Sequence, residues 1–439
     1  MKAGKFKLVN YLDSYGRIMQ FNKNKNIYIH GWYPFVEGYS KEFIRSIINE
    51  YKDRVGKYPE LCLEPFMGSG TTPLELQKLN IDCESFEVSP FMYNLATAKM
   101  ETSYTVNKFL EYRNNIAKSF ENPKENIEEL VPLVASKRVV EKEGLTKWNF
   151  NKDVMKGILD IKYSIVSINN KKYEKLFTIA LASILMEVSN VYRNGKCISY
   201  KKNWKENKLI RKDVHKLYLS RLDNIFLKDI KIINNYKKKN GKLKSNRKRC
   251  HFGDVRKNMD KKVEDNSIDL VITSPPYLNS RDYTDTYMIE LRVLGYLKSD
   301  EEVRKLRKET LRSHVQVKWE KANSLNISEL DKCIKELNKH REEFWNPGLV
   351  DMVEGYFEDM NILFTNLYKK MKVGGLIYFN VANSAYYNVE IKTDEIVSEI
   401  AELNGFKVEE IREARRISPS SQQKDNIEYL RESVIVIAK

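Results

Sequence analysis

Residues 61–72 read Leu-Cys-Leu-Glu-Pro-Phe-Met-Gly-Ser-Gly-Thr-Thr, and this stretch decides the fold. It predicts a short strand, a tight turn and the start of a helix. Gly68 and Gly70 allow the backbone of the turn to approach a ligand closely. Thr71 and Thr72 are residue types favoured where a helix begins. A strand, turn and helix of this kind is typical of doubly wound α/β sheets, which bind ligands at the carboxyl ends of their strands.

Two acidic residues follow the glycine turn at informative places. No Lys follows Gly70, so the turn is not a phosphate-binding P-loop. Glu87 ends a second predicted strand at a spacing from the turn that suits a carboxylate bound to ribose hydroxyls. Asp254, just before the strand at 269–272, is placed to accept from an adenine amino group. The alternatives are a solvated surface Glu87 and a plain Gly-Asp turn at Asp254.

A second decisive motif is Ser274-Pro275-Pro276-Tyr277, which directly follows the apolar run 270–273. The two prolines end the strand because proline cannot donate to a β-ladder. They fix the direction of their carbonyl groups, and Tyr277 adds a flat face. This loop suits a planar group that carries an amine, such as a nucleobase. The alternative is a turn that is merely stiffened by proline.

Together, the Glu-Pro-Phe-Met-Gly-Ser-Gly-Thr-Thr segment and Thr-Ser-Pro-Pro-Tyr resemble the motifs of the amino-methylating DNA methyltransferases that use S-adenosylmethionine. The serine at 274 resembles the cytosine-N4 subgroup, whereas the adenine-N6 subgroup more often has Asp or Asn there. Segments 29–35, 372–379 and 431–437 also resemble parts of this family. The resemblance implies a Rossmann-like α/β sheet of about seven mostly parallel strands, with helices on both faces and one antiparallel strand near the C terminus.

The resemblance also implies roles for individual residues. The hydroxyl of Ser274 and the carbonyl of Pro275 would accept hydrogen bonds from the target amine, in a corner made rigid by Pro276. Tyr277 would stack on a base flipped out of the duplex. The residues implied around S-adenosylmethionine, with S-adenosylhomocysteine as the product, are Tyr33, Pro34, Glu64, Pro65, Phe66, Gly68, Gly70, Thr71, Thr72, Glu87, Asp254 and Thr273.

Several other functions remain open at this stage. An adenine-N6 methyltransferase would share the fold and cofactor, and a DNA-binding subunit that has lost catalysis would share the fold alone. An RNA or protein amine methyltransferase more often has Asn or Asp before the prolines. Carbon-5 methylation of cytosine requires a cysteine nucleophile, and the sequence has no Pro-Cys dipeptide. Double-stranded DNA is the expected partner, with a cognate restriction endonuclease as a possible functional counterpart.

The composition favours a polyanionic partner. The 439 residues include 76 Lys and Arg against 60 Asp and Glu, a net charge of +16. The alternative is that this basic balance reflects a source proteome that is generally rich in Lys, Asn and Ile. The run 237–249 carries eight positive charges and no acid, so we expect it to be solvated or matched by phosphate.

The cysteines and the hydropathy indicate a cytoplasmic protein. Five scattered cysteines without a Cys-x-x-Cys pair predict reduced thiols, and the histidines show no metal-ligand spacing. No apolar stretch approaches the roughly 18 residues that a membrane span needs. We therefore expect a soluble protein without a structural metal.

The pattern of strands and helices divides the chain into three parts. Residues 1–100 form the first part of the predicted catalytic domain, with the cofactor half. Strand-like runs vanish from 101–249, which we predict to be a helical insertion and a candidate for DNA recognition. Residues 250–439 complete the catalytic domain, and a second helical insertion at about 283–348 competes for the same role.

Overall fold

The computed structural model describes residues 5–131, 138–195, 197–241, 243–279, 282–419 and 427–439. A central eight-stranded sheet and two separate hairpins account for its strands. In chain order these are β1 Leu8–Asn10, β2 Leu61–Glu64, β3 Asp82–Glu87, β4 Val191–Asn194, β5 Cys197–Tyr200, β6 Cys250–Phe252, β7 Ile268–Thr273, β8 Met371–Ala382, β9 Ser384–Tyr386, β10 Val389–Ile391, β11 Lys407–Ile417 and β12 Leu430–Ala438.

The central sheet has the strand order β1-β11-β12-β8-β7-β2-β3-β6, and β4–β5 and β9–β10 form the hairpins. Strand β12 is antiparallel to both neighbours, and the remaining pairings in the sheet are parallel. The predicted Rossmann-like α/β sheet with one antiparallel strand near the C terminus is thus confirmed. The sheet has eight strands because β1 adds an edge strand beside β11, where Leu8 pairs with Ile411.

The order of the strands defines where a ligand would bind. From β2 the chain moves outward to β3 and then β6, and it returns to β7 on the other side of β2. Strands β2 and β7 are therefore neighbours at the point where the winding reverses. In open α/β sheets a crevice opens at this point, beyond the carboxyl ends of the strands. The turn after β2 and the Ser-Pro-Pro-Tyr loop after β7 both lie at this edge.

Helices flank the sheet and also form the two insertions. The structure places them at α1 Leu12–Tyr15, α2 Lys41–Val55, α3 Thr71–Lys78, α4 Pro90–Lys99, α5 Val106–Ser119, α6 Ile127–Leu130, α7 Lys152–Val166, α8 Lys171–Val188, α9 Arg211–Arg221, α10 Leu227–Asn240, α11 Val255–Lys262, α12 Tyr283–Thr286, α13 Met288–Val293, α14 Asp300–Glu309, α15 Ser328–Lys339, α16 Leu349–Lys370 and α17 Thr393–Leu403. Among the described residues, no helix is both long and apolar enough to cross a membrane.

Alternating side chains bury both faces of the sheet. Leu270 and Ile272 of β7 pack into one apolar cluster with Phe43 of α2. Val271, between them, points to the other face and joins a cluster that includes Met360 of α16 and Ile400 of α17. A strand that is buried on both sides reads as a continuous apolar run, as the sequence of β7 does.

The insertion at 101–249 corrects one expectation. It is mainly helical, but the strands Val191–Asn194 and Cys197–Tyr200 pair as the β4–β5 hairpin, so the prediction that strands vanish here is wrong. Its helices share an apolar cluster with Trp32 and with Phe91 of α4. The insertion is therefore packed continuously against the part of the chain that carries the glycine turn.

The basic run at 237–249 differs from the expectation that it is solvated or matched by phosphate. Lys244 and Arg249 pair with Asp82, and Arg247 pairs with Glu101. Part of this run is thus neutralised by carboxylates of the protein rather than by solvent or phosphate. Lys242 lies outside the described residues.

Candidate active site

One buried carboxylate ties the two strand ends together. Glu64, the last residue of β2, accepts hydrogen bonds at Oε1 from the hydroxyl of Thr273 (2.5 Å) and the amide of Phe66 (3.1 Å). Its Oε2 accepts from the hydroxyls of Tyr39 (2.6 Å) and Thr72 (2.8 Å). Burial raises the pKa of Glu64. This side chain fixes the start of the glycine turn against the end of β7.

The two glycines of the turn meet different constraints. Gly70 has a φ of +82°, and a Cβ there would lie 2.9 Å from the Cβ of Ala96 in α4. Gly68 has a φ of +49°, and a Cβ would lie 3.2 Å from the ring of Phe35. Gly70 thus allows α4 to pack behind the turn, whereas Gly68 keeps the wall open on the side of Phe35.

Polar side chains hold the glycine turn in place. Glu87 at the end of β3 accepts from the amide of Gly68 at 2.9 Å and from the amide of Ser89 at 2.7 Å. Burial raises the pKa of Glu87 to about 7. The ammonium of Lys99, buried in α4, donates to the carbonyl of Ser69 at 3.1 Å, and burial lowers the pKa of Lys99 to about 7. No local pattern in the sequence marks Lys99 as a residue of this turn.

The Ser-Pro-Pro-Tyr loop is anchored through its tyrosine. The hydroxyl of Tyr277 donates to Glu432 of β12 at 2.7 Å and accepts from the amide group of Asn380 of β8 at 2.7 Å. The hydroxyl of Ser274 donates weakly to the same oxygen at 3.4 Å, and the hydroxyl of Tyr283 accepts from the amide of Tyr277 at 2.9 Å. Burial raises the pKa of Tyr277 well above its ordinary value, so its hydroxyl stays protonated.

A single cavity of about 470 Å³ connects the two motifs. It lies at the carboxyl ends of β2 and β7, where the strand order predicts a crevice. The predicted site residues on its wall are Pro65, Phe66, Gly68, Thr71, Thr72, Glu87, Asp254, Ser274, Pro275, Pro276 and Tyr277. Segments that are far apart in sequence therefore face one common space.

Other predicted cofactor residues do not line this cavity: Tyr33, Pro34, Glu64, Gly70 and Thr273. The predicted position of Tyr33 and Pro34 does not match the structure. Tyr33 is buried and donates to Glu290 at 2.9 Å, and Pro34 is exposed. The segment Phe35–Tyr39, immediately downstream, lines the cavity instead. Glu64, Gly70 and Thr273 lie behind the wall and support it.

Asp254 reaches the cavity with its carboxylate already engaged. Its Oδ1 accepts from the backbone amide of Arg256 at 3.0 Å and caps α11, and its Oδ2 pairs with the Arg256 guanidinium at 2.8 Å. Any adenine amino group would share these oxygens. The adenine-edge contact of Asp254 stays a prediction.

Sequence reasoning missed an aromatic part of the wall. The rings of Phe35 and Tyr287 stack with centroids 5.9 Å apart and planes 5° apart, and Phe21 meets Phe35 edge-on at 5.5 Å. These residues come from three separate loops and helices, so no local pattern links them. Asn380 was also missed. Its Oδ1 has no hydrogen-bond partner among the described residues, and the residue lines the cavity.

A polar cluster closes the cavity on the side of the second insertion. Asp282 accepts at Oδ1 from the amide of Thr284 (2.8 Å) and at Oδ2 from Arg307 (2.6 Å). His314 lies 3.0 Å from the hydroxyl of Thr310, and burial lowers the pKa of His314. His314 is therefore a neutral imidazole at pH 7.

Comparison with known proteins agrees with this geometry. The chain is similar to type II methyltransferases. It is 26% identical over 433 residues to M.BsoBI of Geobacillus stearothermophilus. The aligned region covers 89% of this chain and 81% of that protein. It is 25% identical to M.AvaI of Nostoc sp. (strain PCC 7120), over 90% of this chain and 82% of the relative. M.MjaII of Methanocaldococcus jannaschii is 28% identical over 86 residues, or 20% of this chain and 15% of the relative. No model of a known protein family matches the sequence.

Proposed function

We propose that this protein is a site-specific DNA methyltransferase that transfers a methyl group from S-adenosylmethionine to the exocyclic N4 amine of cytosine in duplex DNA. The observation that carries the proposal is the shared cavity, in which the glycine turn and the Ser-Pro-Pro-Tyr loop face each other. The similarity to type II methyltransferases supports methyl transfer. A restriction endonuclease of the same specificity would be its functional counterpart.

The residues around the glycine turn fit S-adenosylmethionine. A cavity of about 470 Å³ falls in the range of small-molecule sites. The absent Cβ of Gly68 leaves room beside Phe35, and the buried hydroxyl of Ser69 has no partner among the described residues. Glu87 would accept from the ribose hydroxyls. The amino end of α3, which begins at Thr71, would bind the carboxylate of the methionine part.

The corner after β7 would prepare the target amine for attack. When bound, S-adenosylmethionine supplies an electrophilic methyl group on a sulfonium. The lone pair of a cytosine amine is conjugated into the ring. Ser274 Oγ and the Pro275 carbonyl would accept hydrogen bonds from the N–H groups of the amine and so make that lone pair available. Because the Ser274 hydroxyl already donates to Tyr277, its lone pairs are left for the amine. Alignment and electrostatics would thus supply the rate enhancement.

The tyrosine of the loop is held in a way that suits stacking. Glu432 and Asn380 bind the hydroxyl end of Tyr277, which fixes the ring of this cavity-lining residue. A base reaches this cavity only after it leaves the duplex, at a cost of a few kcal/mol. Stacking on Tyr277 would offset part of that cost, since base–aromatic stacking contributes about 1–3 kcal/mol.

Identification of the methylated nucleoside tests the proposal. The protein is incubated with methyl-deuterated S-adenosylmethionine and plasmid DNA from a host without DNA methyltransferases, and the digested nucleosides are analysed by mass spectrometry. We expect labelled N4-methyldeoxycytidine. Labelled N6-methyldeoxyadenosine would show that cytosine is the wrong target base, while the assignment as a DNA methyltransferase would stand. No labelled nucleoside, with S-adenosylmethionine bound in calorimetry, would contradict DNA methylation altogether.

Cofactor affinity is expected to depend on pH through Glu87. The pKa of Glu87 is about 7, and only its carboxylate form accepts from both ribose hydroxyls. Binding therefore favours the deprotonated form, and affinity rises with pH until it levels off above 7. We expect the Kd of S-adenosylmethionine to be roughly 10-fold weaker at pH 6 than at pH 8, as measured by calorimetry. Glu87→Gln should bind weakly with no such pH dependence; an equal pH dependence in this variant would exclude Glu87 as its source.

A further inference from the structure

The β4–β5 hairpin is attached to the cavity wall by one buried arginine. Arg193 of β4 donates to Glu290 (2.5 Å), to the hydroxyl of Tyr33 (2.6 Å) and to the carbonyl of Thr286 (3.0 Å). Its guanidinium also lies 5.1 Å from the ring centroid of Tyr287, which lines the cavity. A two-stranded hairpin alone is marginally stable in water, so this anchor fixes its position beside the cavity.

The opposite face of the hairpin is turned outward. Side chains alternate along a strand, so the inward position of Arg193 places Tyr192 and Asn194 on the other face. Tyr192 is 44% exposed and pairs across the strands with Ser199, and Asn194 is also exposed. This outward face thus carries hydroxyl and amide groups that can both donate and accept hydrogen bonds.

Lysines and aromatic rings surround the base of the hairpin. The rings of Trp148 and Trp204 meet edge-on at 4.9 Å, and Tyr200 of β5 lies 4.9 Å from Trp204. Lys147 lies over the ring of Tyr200 at 5.6 Å, and Lys205 over that of Trp204 at 5.8 Å. These aromatic rings pack together where the hairpin joins the rest of the insertion, and the lysine ammonium groups lie around them.

The charge of the chain is concentrated in the part that carries this hairpin. Residues 101–249 contain 34 Lys and Arg against 16 Asp and Glu, a net charge of +18. The rest of the chain contains 42 against 44, a net charge of −2. The second insertion at 283–348 contains 13 against 12 and is nearly neutral. A polyanion is therefore attracted to the first insertion rather than to the second.

We propose that the outward face of the β4–β5 hairpin reads base edges in the major groove of duplex DNA, next to the base that enters the cavity. The inference rests on the proposed function and assigns its sequence recognition to Tyr192, Asn194 and Ser199. A two-stranded β-ribbon fits the major groove of B-form DNA, where each base pair presents a distinct pattern of donors and acceptors. Lys202 and Lys205, both exposed and just downstream of β5, contact the phosphates beside it.

The first test removes the outward side chains. The double variant Tyr192→Ala/Asn194→Ala is expected to lower kcat/KM for plasmid DNA at least about 10-fold, with the Kd of S-adenosylmethionine unchanged within twofold. The matched control is Tyr58→Ala. Tyr58 is 46% exposed but precedes β2, at the opposite end of the strands. The inference would be overturned if the double variant methylated the same sites and its kcat/KM equalled that of the unmodified protein.

The second test measures phosphate contacts by salt dependence. In Lys202→Ala/Lys205→Ala, the slope of log Kd for the same plasmid DNA against log salt should fall by about 2. Lys261→Ala/Lys262→Ala, at the far end of α11, should keep the original slope. Duplex RNA should not compete, because its major groove is too narrow for side chains. An unchanged slope in the first variant, or equal competition by RNA, would overturn the assignment.

These outcomes are separable from failure of the proposed function. If the unmodified protein methylates no DNA, the proposed function itself is wrong. If it methylates DNA and the hairpin variants do so equally well at the same sites, only the role of the hairpin is wrong. Unchanged cofactor binding in calorimetry establishes that each variant is folded.

Discussion

Ser274→Ala is expected to lower kcat for DNA methylation by about 100-fold while the Kd of S-adenosylmethionine stays within twofold. The variant removes one of two proposed acceptors for the target amine, so the lone pair of the amine stays conjugated. The cofactor residues lie across the cavity and are untouched. Single-turnover transfer of a radiolabelled methyl group to plasmid DNA measures the rate.

Ser267→Ala is a matched control for this variant. Ser267 immediately precedes β7 and Ser274 immediately follows it, and both are partly buried. The hydroxyl of Ser267 donates to the carbonyl of Glu264 at 2.7 Å, far from the cavity. We expect its rate to equal that of the unmodified protein. If both serine variants keep the full rate, Ser274 is not an acceptor in the reaction.

Glu64→Ala is expected to destabilise the protein by about 3–5 kcal/mol, because four donors, three of them on buried residues, lose their common acceptor. The free energy of unfolding is obtained from urea titrations followed by circular dichroism. Glu64→Gln retains an oxygen acceptor and the side-chain volume, so it should lose less than half as much. The loss is expected because Glu64 binds both Thr273 and the turn after β2, so the variant no longer holds these two segments together.

An exposed acidic residue on the same strand–loop unit provides the comparison. Glu60 lies just before β2, pairs with Lys57 at 3.1 Å, and has an exposed side chain. Glu60→Ala should change the free energy of unfolding by no more than about 0.5 kcal/mol. Equal losses in Glu60→Ala and Glu64→Ala would show that burial of the Glu64 carboxylate is not the source of the effect.

Local patterns were enough to predict the elements that build the cavity. The strand before Gly68 and the apolar run before Ser274 are both visible in short windows. Their meeting at neighbouring strands follows from the doubly wound topology that the motifs implied. Asp254, predicted as a cofactor residue, lies on the cavity wall, but no local pattern indicates its contacts with Arg256.

Contacts between distant segments could not be predicted in this way. Nothing near Phe35 in sequence indicates that it stacks on Tyr287, and the prediction named its neighbours Tyr33 and Pro34 as cofactor residues instead. The ion pair of Arg247 with Glu101 is likewise invisible in a basic run. The hairpin at 191–200 did have a local signal, because Asn-Gly between short alternating runs favours a tight turn.

The anchor of Tyr277 has a consequence for biosynthesis. Its partner Glu432 follows it by 155 residues, which a ribosome adds in roughly 10–30 s. During that interval the nascent chain already contains the glycine turn and both prolines, but the acceptor of the Tyr277 hydroxyl proton is still missing. The loop can therefore reach the arrangement described above only once translation has passed β12, and a truncated product without this strand lacks the Glu432 anchor of Tyr277.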